Sequence, residues 1–121
     1  MSWGETPTGH VEIVTDPLNT RSVAAAGTDD RSMSADSDIG HVHLEVSSVE
    51  TARTFYADVL GLRVRAMYDG AVFPAAGDYH HHIRANVWQR RSKPHAGQGL
   101  ACFELRLPDE ATLGATRERL R

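Results

Sequence analysis

Residues 39–46, Ile39-Gly40-His41-Val42-His43-Leu44-Glu45-Val46, alternate without a break. Val42, Leu44 and Val46 fall on one face of a strand, and His41, His43 and Glu45 on the other. Directly after it, Ser47 or Ser48 can accept a hydrogen bond from the free N–H groups of a helix start. Ala52, Phe55, Tyr56, Val59 and Leu60 then form one helical stripe, and Gly61 supplies the stop. Strands are predicted at 63–68 and 71–74, joined through the hairpin dipeptide Asp69-Gly70. A further strand is predicted at 79–88, after Gly77-Asp78, so the unit reads β-α-β-β-β and the fold class is α+β.

Outward from this unit the pattern weakens. On the N-terminal side, residues 10–14 (HVEIV) read as a short strand, and 15–38 as a Ser-, Thr-, Asp- and Ala-rich linker with a helical turn around 22–26. On the C-terminal side, 89–99 read as a polar loop and 100–107 as an alternating strand. On that strand Cys102, Glu104 and Arg106 oppose Ala101, Phe103, Leu105 and Leu107. Pro108-Asp109 then caps a helix to about residue 120. The expected division is 1–38 as strand remnant and linker, and 39–121 as the domain, with a complete module at 39–88 and a partial one at 100–121. The second unit has its first strand and helix, and its three closing strands are expected to lie outside the chain.

Composition narrows the classes of function. The chain has 121 residues, 40% of them hydrophobic, with one cysteine and a formal net charge of −3. One cysteine excludes an internal disulfide framework and a CxxC zinc pair, so a reducing, cytoplasmic setting is expected. No apolar run reaches the ~20 residues of a membrane span, and mild acidity argues against nucleic acid as a partner. Histidine stands out: of seven in the chain, five lie at 41, 43 and 80–82.

Side chains at a period of two project to the same side of a sheet. In a strand at 79–88, His80, His82, Arg84, Asn86 and Trp88 share one face, and His81, Ile83, Ala85 and Val87 the other. In one curved sheet, His41, His43, His80 and His82 would look into a common volume, joined by Cys102, Glu104 and Arg106 from the second unit. Neutral imidazole with carboxylate is a donor set for divalent iron or manganese. The same residues also fit a surface patch or a hydrogen-bonded core cluster, so the metal reading stays open. Arg84 and Arg106 either pair with an anionic group or oppose a cation. Cys102 reads as a packing residue, or as a soft ligand beside a metal.

The motifs IGHVHLEV, VETARTFYADVLGLRV and AGDYHHHIRANVW (39–46, 49–64 and 76–88) resemble the vicinal oxygen chelate superfamily of glyoxalase, bleomycin-resistance and extradiol dioxygenase proteins. The resemblance spans about 39–120 and is strongest to its catechol-2,3-dioxygenase-like branch, through YHHHI followed by Asn and Trp. It implies strongly curved mixed sheets of βαβββ modules that pair around a metal and a substrate. By position, His41 matches the first-strand ligand, Cys102 stands where a second histidine is expected, and the closing glutamate lies in a strand the chain does not reach. PTGHVEIV (7–14) resembles the end of a preceding module, with Glu12 matching its carboxylate.

The function so implied is a metal-dependent extradiol ring-cleavage dioxygenase-like protein acting on a catechol-type aromatic. Fe(II) or Mn(II) would be held by His41 with His82 and Glu104 or Glu12, and His43 or His80 would act as acid and base. The rival is a metal-free protein of the same fold that binds a small aromatic or drug, with Trp88, Tyr68 and Tyr79 as stacking surfaces. A third reading is a truncated, inactive fragment. An unpaired sheet edge and the missing strands point to a homodimer.

Overall fold

The computed structural model describes residues 2–14, 16–27, 32–89 and 97–121. Most of the loop expected at 89–99, and positions 15 and 28–31 of the expected linker, lie outside the described residues. The fold is α+β, with one four-stranded mixed sheet and a separate two-stranded sheet.

The four-stranded sheet follows from the alternating segments. β3 (Val42–Glu45) leads into α2 (Val49–Arg53), which continues as a π-helical segment (Thr54–Val59). Ser48 is the N-cap; its hydroxyl accepts the Thr51 N–H at 3.2 Å. In the π-helical segment the Leu60 N–H reaches the Phe55 carbonyl, five residues back, at 2.9 Å. Gly61 ends the turn at φ 85°, a conformation that favours glycine. β4 (Arg63–Tyr68) and β5 (Ala71–Ala75) form the hairpin through Asp69-Gly70, with Gly70 at φ 79°.

β6 (Ile83–Asn86) completes the sheet in the order β3-β6-β5-β4, with β3 parallel to β6 and the other pairs antiparallel. Pro74 sits in an inner strand and has no N–H for the ladder. The pairing with β4 adjusts there: Val64 opposes Pro74 and Ala66 opposes Phe73, which leaves Arg65 as an extra, bulged residue.

Apolar residues divide between the two faces. Ala52, Val72 and Ala85 form one core, joined by Val46, Val49, Tyr56 and Val64, so the helix covers this face. Ala66, Ala71 and Phe73 form a second core on the opposite face, with Ile13 packed on it. Ile13 belongs to a hairpin of β1 (Ser2–Glu5) and β2 (Val11–Val14). Tyr68 pins that hairpin: its hydroxyl accepts the Ile13 N–H at 3.1 Å and donates to the Val11 carbonyl at 3.3 Å. Glu5 adds an ion pair to buried Arg65 at 3.2 Å. The strand expected at 10–14 is β2, and its partner β1 lies in a stretch where no strand is expected. The helical turn expected near 22–26 is α1 (Thr20–Ala26), capped by Asn19.

Two expected strands differ in the structure. The segment expected at 79–88 is a strand only over Ile83–Asn86, and 79–82 bend away after Gly77 at φ 59°. The alternation at 100–107 forms no strand. Alternation gives a segment two faces, but a strand also needs a ladder partner, and none pairs with it among the described residues. The helix after it is present as α3 (Glu110–Arg119), with Asp109 accepting the Thr112 N–H at 2.7 Å. Arg119 donates to the carbonyls of Val59 and Leu60, both at 3.0 Å, and so caps the preceding helix.

Candidate functional site

The face that carries the N-terminal hairpin also carries the histidines. In the parallel pair, His43 lies beside Arg84 and Glu45 beside Asn86. The Val42 N–H bonds to the His82 carbonyl at 2.9 Å, which brings the start of β3 against the bend that precedes β6. His41 thereby meets the bend: its ring centroid is 4.4 Å from that of His81 and 6.2 Å from that of His80. His80 and His81 join directly, Nδ1 to Nδ1 at 2.7 Å. Phe73 links the cluster to the hairpin, with its centroid 5.1 Å from His81 and 5.7 Å from Tyr68.

The bend decides which histidines enter the cluster. His81, which strict alternation places on the far face, is fully buried beside His41. His82 turns elsewhere: its Nδ1 accepts the Ala76 N–H at 3.2 Å, and its ring lies 4.6 Å from Tyr79. That bond leaves the proton of neutral His82 on Nε2. His43 is also engaged, because its Nε2 pairs with the Asn86 side-chain amide. Asn86 is held in turn by the Trp88 N–H at 3.1 Å. His81 is the site residue that sequence reasoning left out. The signal for it was the Gly77-Asp78 turn, which interrupts the alternation before 80–82 begins.

Burial fixes the charge state of these rings. Desolvation lowers the pKa of His41, His43 and His80, with Arg84 adding to the effect at His41 and His43. His81 is pushed down to about 3, first by desolvation, then by its neighbours His41, His80, Arg84 and His82. The cluster is therefore neutral near pH 7. Of the His80–His81 pair, one Nδ1 carries the shared proton. If His81 donates, its buried Nε2 is a bare lone pair; if it accepts, Nε2 carries a proton with no acceptor. Either state leaves a buried polar atom unsatisfied, at a cost of about 1–3 kcal/mol.

Arg84 is the second anomaly. It is 9% exposed, its guanidinium carbon lies 4.2 Å from the Trp88 centroid and 5.6 Å from that of Phe73, and its buried Nε has no partner. Among the described residues no carboxylate pairs with it. Cation–π contact recovers about 2 kcal/mol in a desolvated setting. Taking an ion out of water costs several kcal/mol, which the cation–π contact offsets only in part.

The fit to Fe(II) or Mn(II) is incomplete. Neutral imidazoles are suitable donors. Yet among the described residues no three of His, Cys, Asp or Glu are grouped to hold an ion. Glu12 is exposed on β2, and Glu104 and Cys102 are exposed in the segment without a strand. The positive charge of Arg84 also bears on His41, His43 and His81. The described residues do not hold a metal unaided.

A βαβββ order, a mixed sheet with the helix on one face, and imidazoles gathered on the other define a recognisable class. Residues 38–121 match the Glyoxalase/Bleomycin resistance protein/Dioxygenase superfamily, and the chain belongs to it. Within reach of that class, a protein of Bacillus subtilis (strain 168) named catechol-2,3-dioxygenase is 34% identical over 127 residues. The alignment takes in 99% of this chain and 45% of that protein, so the chain spans about half the length of the curated relative it matches. No solved structure matches the chain significantly. No helix among the described residues is long and apolar enough to cross a membrane.

Proposed function

We propose that the chain is part of a metal-dependent extradiol ring-cleavage dioxygenase-like protein acting on a catechol-type aromatic, with the histidine face as its substrate-binding wall. The observation that supports this reading is the meeting of half-buried His41 with buried His80 and His81, from two separate segments, as neutral rings on one face. The relationship to a protein named catechol-2,3-dioxygenase supports the same substrate class. In this reading His41 is a metal ligand and His80 is the base for a catechol hydroxyl, neutral at pH 7 and therefore able to accept its proton. His81, far less basic, serves as a hydrogen-bond partner that orients His80. His43, Glu12, Glu104 and His82 stay in the proposal as groups whose roles need an assembly larger than the described residues. A homodimer is the partner it calls for, because β3 is an edge strand with one side unpaired among the described residues.

One observation favours a second reading, a metal-free binding protein for the same aromatic class: the Arg84 guanidinium, paired with no carboxylate among the described residues, opposes a cation among these histidines. The two separate in one experiment. Protein loaded with Fe(II) or Mn(II) is assayed for bound metal and mixed aerobically with catechol. The dioxygenase reading expects bound metal, a yellow ring-cleavage product and loss of both in His41→Ala. Tight catechol binding with no metal and no product supports the binding protein and refutes the enzyme.

A further inference from the structure

We infer that Arg84 selects aromatic ligands that carry a carboxylate on the ring. The inference rests on the aromatic-ligand reading shared by both proposals above and adds the charge of the ligand. Arg84 is a cation built into a strand, beside His43, and almost wholly shielded from water. Its guanidinium carbon lies over the Trp88 ring, 4.2 Å from the centroid, and its N–H groups suit a planar acceptor. No side chain among the described residues supplies that acceptor. Glu45, two residues beyond His43 on the same face, gives an oxygen to the Gln89 N–H at 2.9 Å and forms no ion pair with Arg84. Asn86 is committed to His43 and to the Trp88 N–H.

The missing acceptor is thus planar, anionic and close to aromatic surfaces. A ring carboxylate meets each condition, since it pairs with guanidinium through two parallel hydrogen bonds. Its aromatic ring would lie toward the histidine cluster, where His41 and His81 flank the other end of the same face. Uncharged catechol brings Arg84 no anionic acceptor.

The test uses the full chain and compares pairs of probes that differ only in charge: 3,4-dihydroxybenzoate against 3,4-dihydroxybenzamide, and benzoate against benzamide. Binding is read by calorimetry, and ring cleavage is followed separately. The acid of each pair is expected to bind about tenfold to a hundredfold more tightly than its amide. Arg84→Gln should equalise the two members, and Arg84→Lys should restore part of the preference. The wild-type comparison needs no variant, so a misfolded Arg84→Gln leaves the test intact. Equal affinity of acid and amide for the wild type overturns the inference, as does a preference that survives in folded Arg84→Gln. A preference for acids without ring cleavage supports Arg84 selection while refuting the dioxygenase; cleavage of both dihydroxy probes with equal affinity does the reverse.

Discussion

Acidification should destabilise this protein through His81, and the size of the effect follows from its burial. The ring has no solvent exposure, and its pKa is held near 3 against an ordinary value of 6.5. In the unfolded chain it takes up a proton as pH falls through 6.5, while the folded ring stays neutral until about 3. The unfolded state then binds more protons, so stability is complete above about 6.5 and falls as pH is lowered. Each pH unit in that window costs about 1.4 kcal/mol, so moving from pH 6.5 to 5.0 costs about 2 kcal/mol. For a domain of this size that lowers Tm by roughly 5–10 °C. His41, His43 and His80 are shifted in the same direction and add to the slope. The assay is urea unfolding of wild type and His81→Phe at pH 7.0 and pH 5.0. The loss between the two pH values should be smaller in the variant by about 2 kcal/mol. An equal loss in both proteins refutes the claim that His81 is buried and neutral.

Three further outcomes follow from the fold. Ser48→Ala removes the hydroxyl that caps α2 and should cost about 1 kcal/mol in urea unfolding, with Ser48→Asp restoring most of it. Tyr68→Phe deletes both hydrogen bonds to β2, about 1 kcal/mol each, and should speed proteolysis of residues 2–14 before the rest of the chain. Unchanged cleavage there would mean the hairpin is held by something else. Ile83→Ala empties a fully buried position in β6 and should cost about 2–5 kcal/mol, measured by the same unfolding assay.

What was legible in the sequence was mostly local. The faces of 42–45, the Ser48 cap, the Asp69-Gly70 hairpin and the Asp109 cap each depend on chemistry within a few residues, and all stand in the structure. The site was legible only in part, because a histidine's direction depends on an unbroken strand. At 79–82 the backbone bends, so His81 joins His41 and His82 turns to Ala76. Residues 100–107 mislead for another reason: their alternation is genuine, but nothing local shows that a pairing strand is required and absent among the described residues. β1 was hidden because its pairing with β2 is carried by backbone hydrogen bonds that four residues of mixed polarity do not advertise.

The histidine wall is tested most directly by the ring signals of a histidine-labelled sample. Two-dimensional imidazole NMR spectra are recorded without oxygen as catechol is added. The proposal predicts ring-to-ring contacts between His41 and His81 in the free protein, and saturable shifts at His41, His80 and His81 on titration. Rings that show no mutual contact, or shifts confined to histidines other than His41, His80 and His81, would contradict it.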